Sequence, residues 1–258
     1  MTFQPRWSAW VMAVVTAIAI GVAFQLPPIP QDPGYHVFAD RVTRFGVANF
    51  WNVASNLPFV LVGILGLRNL PDLKLHLPVP ACVLFCMGVI LVGVGSAYYH
   101  YAPTSDTLVW DRLPMTAAFM ALFSIVISDR IAVPLGRWLL WPLVFAGVIS
   151  VLYWDWTELQ GRGDLRAYGL VQFLPMLLIP LMLVTMKGRG LHASWLWLTL
   201  LAYALAKLAE HFDTAIYVAT GGVSGHSLKH LLGALAVYFA LRALVDPGRN
   251  TAQTGAAA

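Results

Sequence analysis

The chain has 258 residues, of which 59% are hydrophobic and only 11% are charged, whereas soluble domains usually have about 25% charged residues. This composition excludes a soluble enzyme. Apolar stretches that contain Gly and Pro favour membrane helices over the alternating pattern of a β-barrel. The net charge is +4, and such an excess is typical of the cytoplasmic loops of membrane proteins. We therefore predict a membrane protein that does not bind nucleic acid.

Eight apolar runs are long enough to cross a hydrocarbon core of about 30 Å. In chain order, the predicted helices are about Ser8–Leu26, Phe50–Leu67, Pro80–His100, Leu113–Ser128, Trp138–Trp154, Tyr168–Met186, Ser194–Glu210 and Ser227–Val245. The first run is interpreted as a retained helix, because its apolar stretch is long and its cleavage site is weak. The fold class is therefore all-α, a polytopic membrane helix bundle.

Basic residues near helix ends set the orientation of a membrane protein. With the N-terminus in the cytoplasm, the inner side holds more Lys and Arg than the outer side. We therefore predict that both termini are cytoplasmic and that the chain is an integral, multi-pass membrane protein. Most of the acidic residues gather on the opposite face, which suggests that the outer, periplasmic or lumenal, leaflet carries the function.

Three histidines are placed to meet at that outer face. His226 and His230 are four residues apart at the start of the eighth predicted helix, so both imidazoles lie on one helix face. His100 ends the third helix, which runs outward and therefore ends where the eighth begins. Three histidines with one open position are the ligand set of a catalytic zinc ion. This pattern predicts Zn²⁺ bound by His100, His226 and His230.

Two further side chains reach the same face. Ser96 precedes His100 by one helical turn and shares its face, and Asp111 opens the fourth predicted helix. Zinc activates water and polarises a carbonyl group. A carboxylate can transfer the proton, and a hydroxyl group can stabilise the developing oxyanion. The set is typical of a hydrolase, with Asp111 and Ser96 as the candidate catalytic residues.

The residues alone leave other interpretations of these histidines open. A pair four residues apart also occurs as polar packing between membrane helices. Haem ligation needs histidines on facing helices, and only His100 could oppose His226 or His230. A serine protease site at Ser96 would use a single histidine as its base, whereas this chain offers a pair at metal-binding spacing.

Four segments of the chain resemble the alkaline ceramidase family, which belongs to a superfamily of membrane hydrolases that includes the adiponectin and progestin receptors. They are Asn49-Phe-Trp-Asn-Val-Ala-Ser-Asn-Leu-Pro-Phe, Gly93-Val-Gly-Ser-Ala-Tyr-Tyr-His-Tyr, Asp111-Arg-Leu-Pro-Met and Gly225-His-Ser-Leu-Lys-His. Their order agrees with that family. The spacing from Ser96 to His100 and on to Asp111 agrees as well.

The resemblance implies that His100, His226 and His230 are zinc ligands, that Asp111 transfers protons and that Ser96 belongs to the catalytic site. The implied activity is zinc-dependent hydrolysis of the amide of ceramide or a related N-acyl lipid to a fatty acid and a long-chain amine. The partners are then the lipid bilayer and a lipid amide substrate, and no protein partner is predicted.

The family also implies a domain of seven core transmembrane helices. We place this ceramidase-like domain at residues 31–246, after an extra N-terminal transmembrane helix in residues 1–30 and before a disordered tail at 247–258. Animal members have a calcium site with a glutamate where this chain has Asn49. Only Asp40 lies near that position, so we predict no tight calcium site.

The alternative function is a receptor-like, lipid-binding protein of the same superfamily with a mainly structural zinc. The predicted inner loops are short, which leaves little surface for a signalling partner. Three secondary predictions concern other polar residues. Asn52, Ser55 and Asn56 are interpreted as helix-to-helix hydrogen-bonding groups, and Glu210 and Asp213 as groups that orient a ligand histidine. Lys229, about 100° around the helix from its neighbours, is expected to point away from the metal.

Overall fold

The fold is known from a computed structural model that describes residues 6–73 and 77–245, without the side chain of Arg6. The predicted disordered tail, 247–258, lies outside the described residues. The helices are α1 (Arg6–Gln25), α2 (Phe50–Ala54), α3 (Leu57–Arg68), α4 (Val79–Tyr101), α5 (Ser105–Arg130), α6 (Val133–Leu159), α7 (Arg166–Thr185), α8 (Ala193–His211), α9 (Asp213–Thr220) and α10 (Gly225–Leu244). Short 3₁₀ turns lie at Pro33–His36 and Leu70–Asp72.

Seven stretches of the described chain are long and apolar enough to cross a membrane: α1, α2 with α3, α4, α5, α6, α7 and α10. Helix α8, which corresponds to the seventh predicted helix, has 19 residues. Lys207 and Glu210 lower its mean hydropathy, and it is not among these seven stretches. It packs along α10 and completes the bundle. No β-sheet forms in the described part of the chain. The predicted all-α, polytopic membrane fold is therefore confirmed.

The bundle is built around α4 and α5. Helix α4 packs between α3 and α5, and α5 also contacts α6 and α7. Helix α10 joins α3 to α8, and α1 packs against α7. Cys82 and Cys86 of α4 are buried free thiols in the main apolar core. Both cysteines therefore contribute to the packing of this core.

The second predicted helix is broken where the sequence suggested one continuous helix from Phe50 to Leu67. Helix α2 ends at Ala54, and α3 begins at Leu57. Pro58 lies in the first turn of α3, where its missing N–H group costs nothing. In a continuous helix it could not donate to the carbonyl of Ala54, and its ring would clash with that carbonyl. The Asn56 side chain donates to the carbonyl of Asn52 at 2.8 Å. The break leaves the polar side chains of this segment buried in the bundle.

Helix α5 begins earlier than predicted. Thr104 caps it, since its hydroxyl accepts from the backbone N–H of Thr107 and the Thr107 hydroxyl accepts from that of Thr104. This reciprocal cap satisfies two N–H groups at the helix start. The helix therefore starts at Ser105 instead of Leu113, and Asp111 lies in its second turn.

One end of the bundle collects the ends of α4, α6 and α8 and the starts of α5, α7 and α10. The segment between α1 and α2 crosses this end and is fixed by hydrogen bonds at several points. The Asp213 carboxylate accepts from the backbone N–H of Ala39 at 2.9 Å. The Asn52 amide donates to the carbonyl of Asp40 at 3.0 Å. This segment therefore covers the ends of the helices as a fixed lid.

The contact of α4 with α5 is close because it is lined by small residues. A Cβ atom at Gly95 would collide with the backbone carbonyl of Trp110, and one at Gly88 would press on Ala118. Gly95 directly precedes Ser96, and Trp110 directly precedes Asp111. The close approach of the two helices therefore also sets the separation of two predicted site residues.

We expect Gly95→Ala to lower the free energy of unfolding by about 1–3 kcal/mol, the usual cost of overpacking a tight contact. The matched control is Gly169→Ala in α7, where an added Cβ meets nothing within 4 Å and alanine favours the helix. Thermal unfolding in detergent measures both. Equal stability of the two variants would contradict the close contact between α4 and α5.

Candidate metal centre and adjoining cavity

The three predicted histidines lie together and are buried. His100 ends α4, while His226 and His230 occupy the first two turns of α10. Their ring centroids are 4.7 to 4.9 Å apart. The Nε2 atoms of His100 and His226 are 3.3 Å apart, and one ring nitrogen from each of the three lies within 4.8 Å of the others. This group could hold a metal ion.

The orientation of His230 is fixed by a hydroxyl group. Its Nδ1 lies 2.8 Å from the Ser55 Oγ, at the break between α2 and α3. Its Nε2 is buried and has no hydrogen-bond partner among the described residues. A proton on Nδ1 leaves a lone pair on Nε2. A buried acceptor of this kind is costly unless an ion or a donor meets it.

Neighbouring polar residues hold the same helix ends together. The Asn49 amide donates to the carbonyl of His100 at 2.9 Å. The side-chain oxygen of Asn52 accepts from the hydroxyls of Ser224 and Ser227 at 3.2 and 2.9 Å. Asn52 and its neighbours therefore bridge helices, as the sequence analysis predicted. In addition, Ser55 orients a histidine.

An aromatic ring covers the histidine cluster. Phe38, in the lid segment, is buried, and its ring centroid lies 4.7 Å from that of His100 and 4.6 Å from that of His226. Asp213 ties this lid to α10, because its carboxylate accepts from the N–H groups of both Ala39 and His226. The position of Phe38 has no local sequence signal, since it depends on the path of a loop.

A neighbouring histidine has a separate role. His36 lies in the lid, with Nδ1 2.9 Å from the Tyr99 hydroxyl and Nε2 3.3 Å from the Ser105 hydroxyl. Burial lowers the pKa of His36, and the nearby Arg112 lowers it further. A neutral imidazole can both donate and accept, which suits these two hydroxyl partners. His36 therefore secures the lid to α4 and α5.

Ser96 and Asp111 lie side by side across the contact of α4 and α5. Both are buried, and the close contact of Gly95 with Trp110 brings them near each other. Together with His230, they line a cavity of about 860 Å³. Its remaining walls are mainly apolar side chains from α5, α7, α8 and α10, and α1 contributes Ala19 and Ala23. This volume lies in the range of small-molecule sites.

The cavity also holds a charged group that the sequence analysis misinterpreted. Glu210 accepts from Lys207 and from Lys229, the latter at 2.6 Å, and the Tyr35 hydroxyl lies 3.4 Å away. The predicted role of Glu210 in orienting a histidine is therefore wrong. The Asp213 carboxylate accepts from the backbone N–H of His226, and in the described part of the chain it bonds to no histidine ring. The local pattern did not show that Lys229, between the two histidines, would turn back to α8.

These features define a class of protein: a membrane-spanning α-helical bundle with a buried histidine cluster and a largely apolar cavity at one end. The sequence model of the ceramidase family matches residues 41–245, which include all five predicted site residues. The chain belongs to the ceramidase family, and it is therefore a hydrolase of the membrane. No curated protein sequence matches the chain significantly.

We expect Ser55→Ala to weaken metal binding about tenfold to a hundredfold, because partners that orient ligand histidines commonly contribute that much. Competition of the purified protein with a chromogenic chelator for Zn²⁺ measures the affinity. Ser150→Ala is the matched control, since Ser150 is also buried and its hydrogen bond among the described residues is to the carbonyl of Gly147 within α6. An unchanged affinity in Ser55→Ala would contradict this role.

Proposed function

We propose that the protein is a zinc-dependent intramembrane amidohydrolase that cleaves the amide of ceramide or a related N-acyl lipid to a fatty acid and a long-chain amine. The observation that carries this proposal is that His230, a member of the buried three-histidine cluster, lines the same largely apolar cavity as Ser96 and Asp111. Membership of the ceramidase family supports the reaction class.

His100, His226 and His230 would hold the zinc ion. Two nitrogen ligands of a tetrahedral zinc at about 2.0–2.1 Å are roughly 3.3–3.4 Å apart, and the Nε2 atoms of His100 and His226 are separated by 3.3 Å. The unpartnered Nε2 of His230 supports the same assignment. Bound zinc supplies Lewis acidity, which activates water and polarises the amide carbonyl.

Asp111 and Ser96 would handle the protons and the developing charge. The Asp111 carboxylate accepts a proton from the attacking water and delivers it to the leaving amine nitrogen, as a general base and then a general acid. The Ser96 hydroxyl would donate to that carboxylate and, once Asp111 has taken up the proton, would donate instead to the oxyanion formed from the amide carbonyl. Cleavage of the amide C–N bond thus requires no further residue.

The cavity suits a lipid drawn from the bilayer. Its apolar walls can take a long acyl chain, while its charged residues lie at the end that adjoins the histidines. The distribution of Lys and Arg supports an orientation in which this end faces the outer leaflet. A receptor that only binds lipid would not require an acid and a hydroxyl beside the metal ligands, so hydrolysis is the favoured function.

We expect Asp111→Asn to reduce turnover by about 10²–10⁴, the usual contribution of a positioned acid–base group, with the metal content unchanged. Fatty-acid release from N-acyl lipids in detergent, followed by mass spectrometry, measures turnover. Asp106→Asn is the matched control, because Asp106 is exposed in the first turn of the same helix. If Asp111→Asn kept wild-type turnover, the assigned role would be wrong.

A further inference from the structure

Most of the charged side chains in the cavity wall have a partner in the described part of the chain. Glu210 forms ion pairs with both Lys207 and Lys229, and Arg166 pairs with Asp164. The Asp32 carboxylate accepts from the backbone N–H of Gly34, and Asp111 is needed for proton transfer in the proposed reaction. The remaining charged residue of the wall is Arg112.

Arg112 is buried without an acidic partner among the described residues. Its side chain is about 5% exposed, and no carboxylate lies within 4.0 Å of it in the described part of the chain. Its Nη2 donates to the Gln31 side-chain oxygen at 2.6 Å. Its Nη1 is buried without a hydrogen-bond partner there. A neutral amide oxygen leaves the guanidinium charge uncompensated.

Aromatic rings surround this guanidinium. Its Cζ lies 4.1 Å from the ring centroid of Trp154, 4.6 Å from that of Tyr168 and 5.7 Å from that of Tyr35. Aromatic rings attract a cation, and by stacking on the planar guanidinium they fix its orientation for binding a ligand. They do not neutralise it, and a buried charge in a membrane protein is costly without a counter-charge.

Tyr35 lies between Arg112 and the ion pair of Glu210 with Lys229. Its ring lies beside the guanidinium, and its hydroxyl is close to Glu210, the partner of Lys229. Arg112 also follows Asp111 directly in α5. The positive end of the cavity is therefore next to the position where the amide would be hydrolysed.

We propose, on the basis of the proposed hydrolase function, that the preferred substrate is an acidic N-acyl lipid with a carboxylate or phosphate a few bonds from its amide nitrogen, and that Arg112 binds this oxyanion. Ceramide itself has only neutral hydroxyl groups at this position. An N-acyl amino acid has its carboxylate close to the amide nitrogen. The reaction is unchanged: water oxygen joins the carbonyl carbon, the C–N bond breaks and the nitrogen gains a proton.

The test compares substrates of equal acyl length that differ in charge. An N-acyl amino acid is set against its own methyl ester, and ceramide phosphate against ceramide, with purified zinc-loaded protein in nanodiscs. We expect the charged member of one pair to have a kcat/KM about tenfold to a hundredfold higher, mainly through KM, as for one charge-assisted hydrogen bond. The pair that shows the preference distinguishes a carboxylate from a phosphate.

Variants assign the preference to Arg112. Arg112→Gln should bring the ratio for charged over neutral substrate close to one, while Arg112→Lys should keep part of it. Arg162→Gln, which changes an exposed arginine outside the cavity, should leave the ratio unchanged. Equal kcat/KM for the charged and neutral members of both pairs in the wild type, or an unchanged ratio in Arg112→Gln, would overturn the inference.

A binding experiment separates this inference from the hydrolase proposal. In the Asp111→Asn background, the same lipids are tested for their protection against thermal unfolding. The charged lipid should bind at least tenfold more tightly than its neutral analogue, and Arg112→Gln should abolish the difference. Selective binding without turnover by the parent protein would refute only the hydrolase, whereas turnover with equal binding would refute only the role of Arg112.

Discussion

The rest of the site depends on three imidazoles that are buried together at one end of a membrane bundle. The Nε2 atoms of His100 and His226 approach to 3.3 Å, and the Nε2 of His230 has no partner among the described residues. Inside a membrane protein, such groups are costly unless a cation or a donor satisfies them. The lid, the Ser55 contact and the close packing at Gly95 all maintain this arrangement.

The sequence predicted those parts of the site that follow from short spacings. His226 and His230 share a helix face because they are four residues apart. His100 joins them because a helix that runs outward ends at the face where a helix that runs inward begins. The remainder depends on tertiary structure. The break before Pro58, which aims Ser55 at His230, and the loop that places Phe38 over the rings have no periodic signal.

The ion-pair partners of the charged residues also depend on tertiary structure and could not be predicted from the local sequence. Glu210 lies in the last turn of α8 and could equally face a histidine or a lysine. The packing of α8 on α10 is what brings it to Lys229. The cavity also includes a part of the chain outside the family match at 41–245. Helix α1 contributes Ala19 and Ala23 to the cavity wall, so this added helix shapes the space available for the lipid chain.

The most direct test of the zinc hydrolase is a titration of metal-stripped protein with Zn²⁺, in which bound zinc and fatty-acid release from an N-acyl lipid are measured on the same samples. The account predicts that release is negligible without metal and rises in proportion to bound zinc up to about one ion per chain, the stoichiometry of a three-histidine site. Full activity in the stripped protein, or one bound zinc without any fatty-acid release, would contradict it.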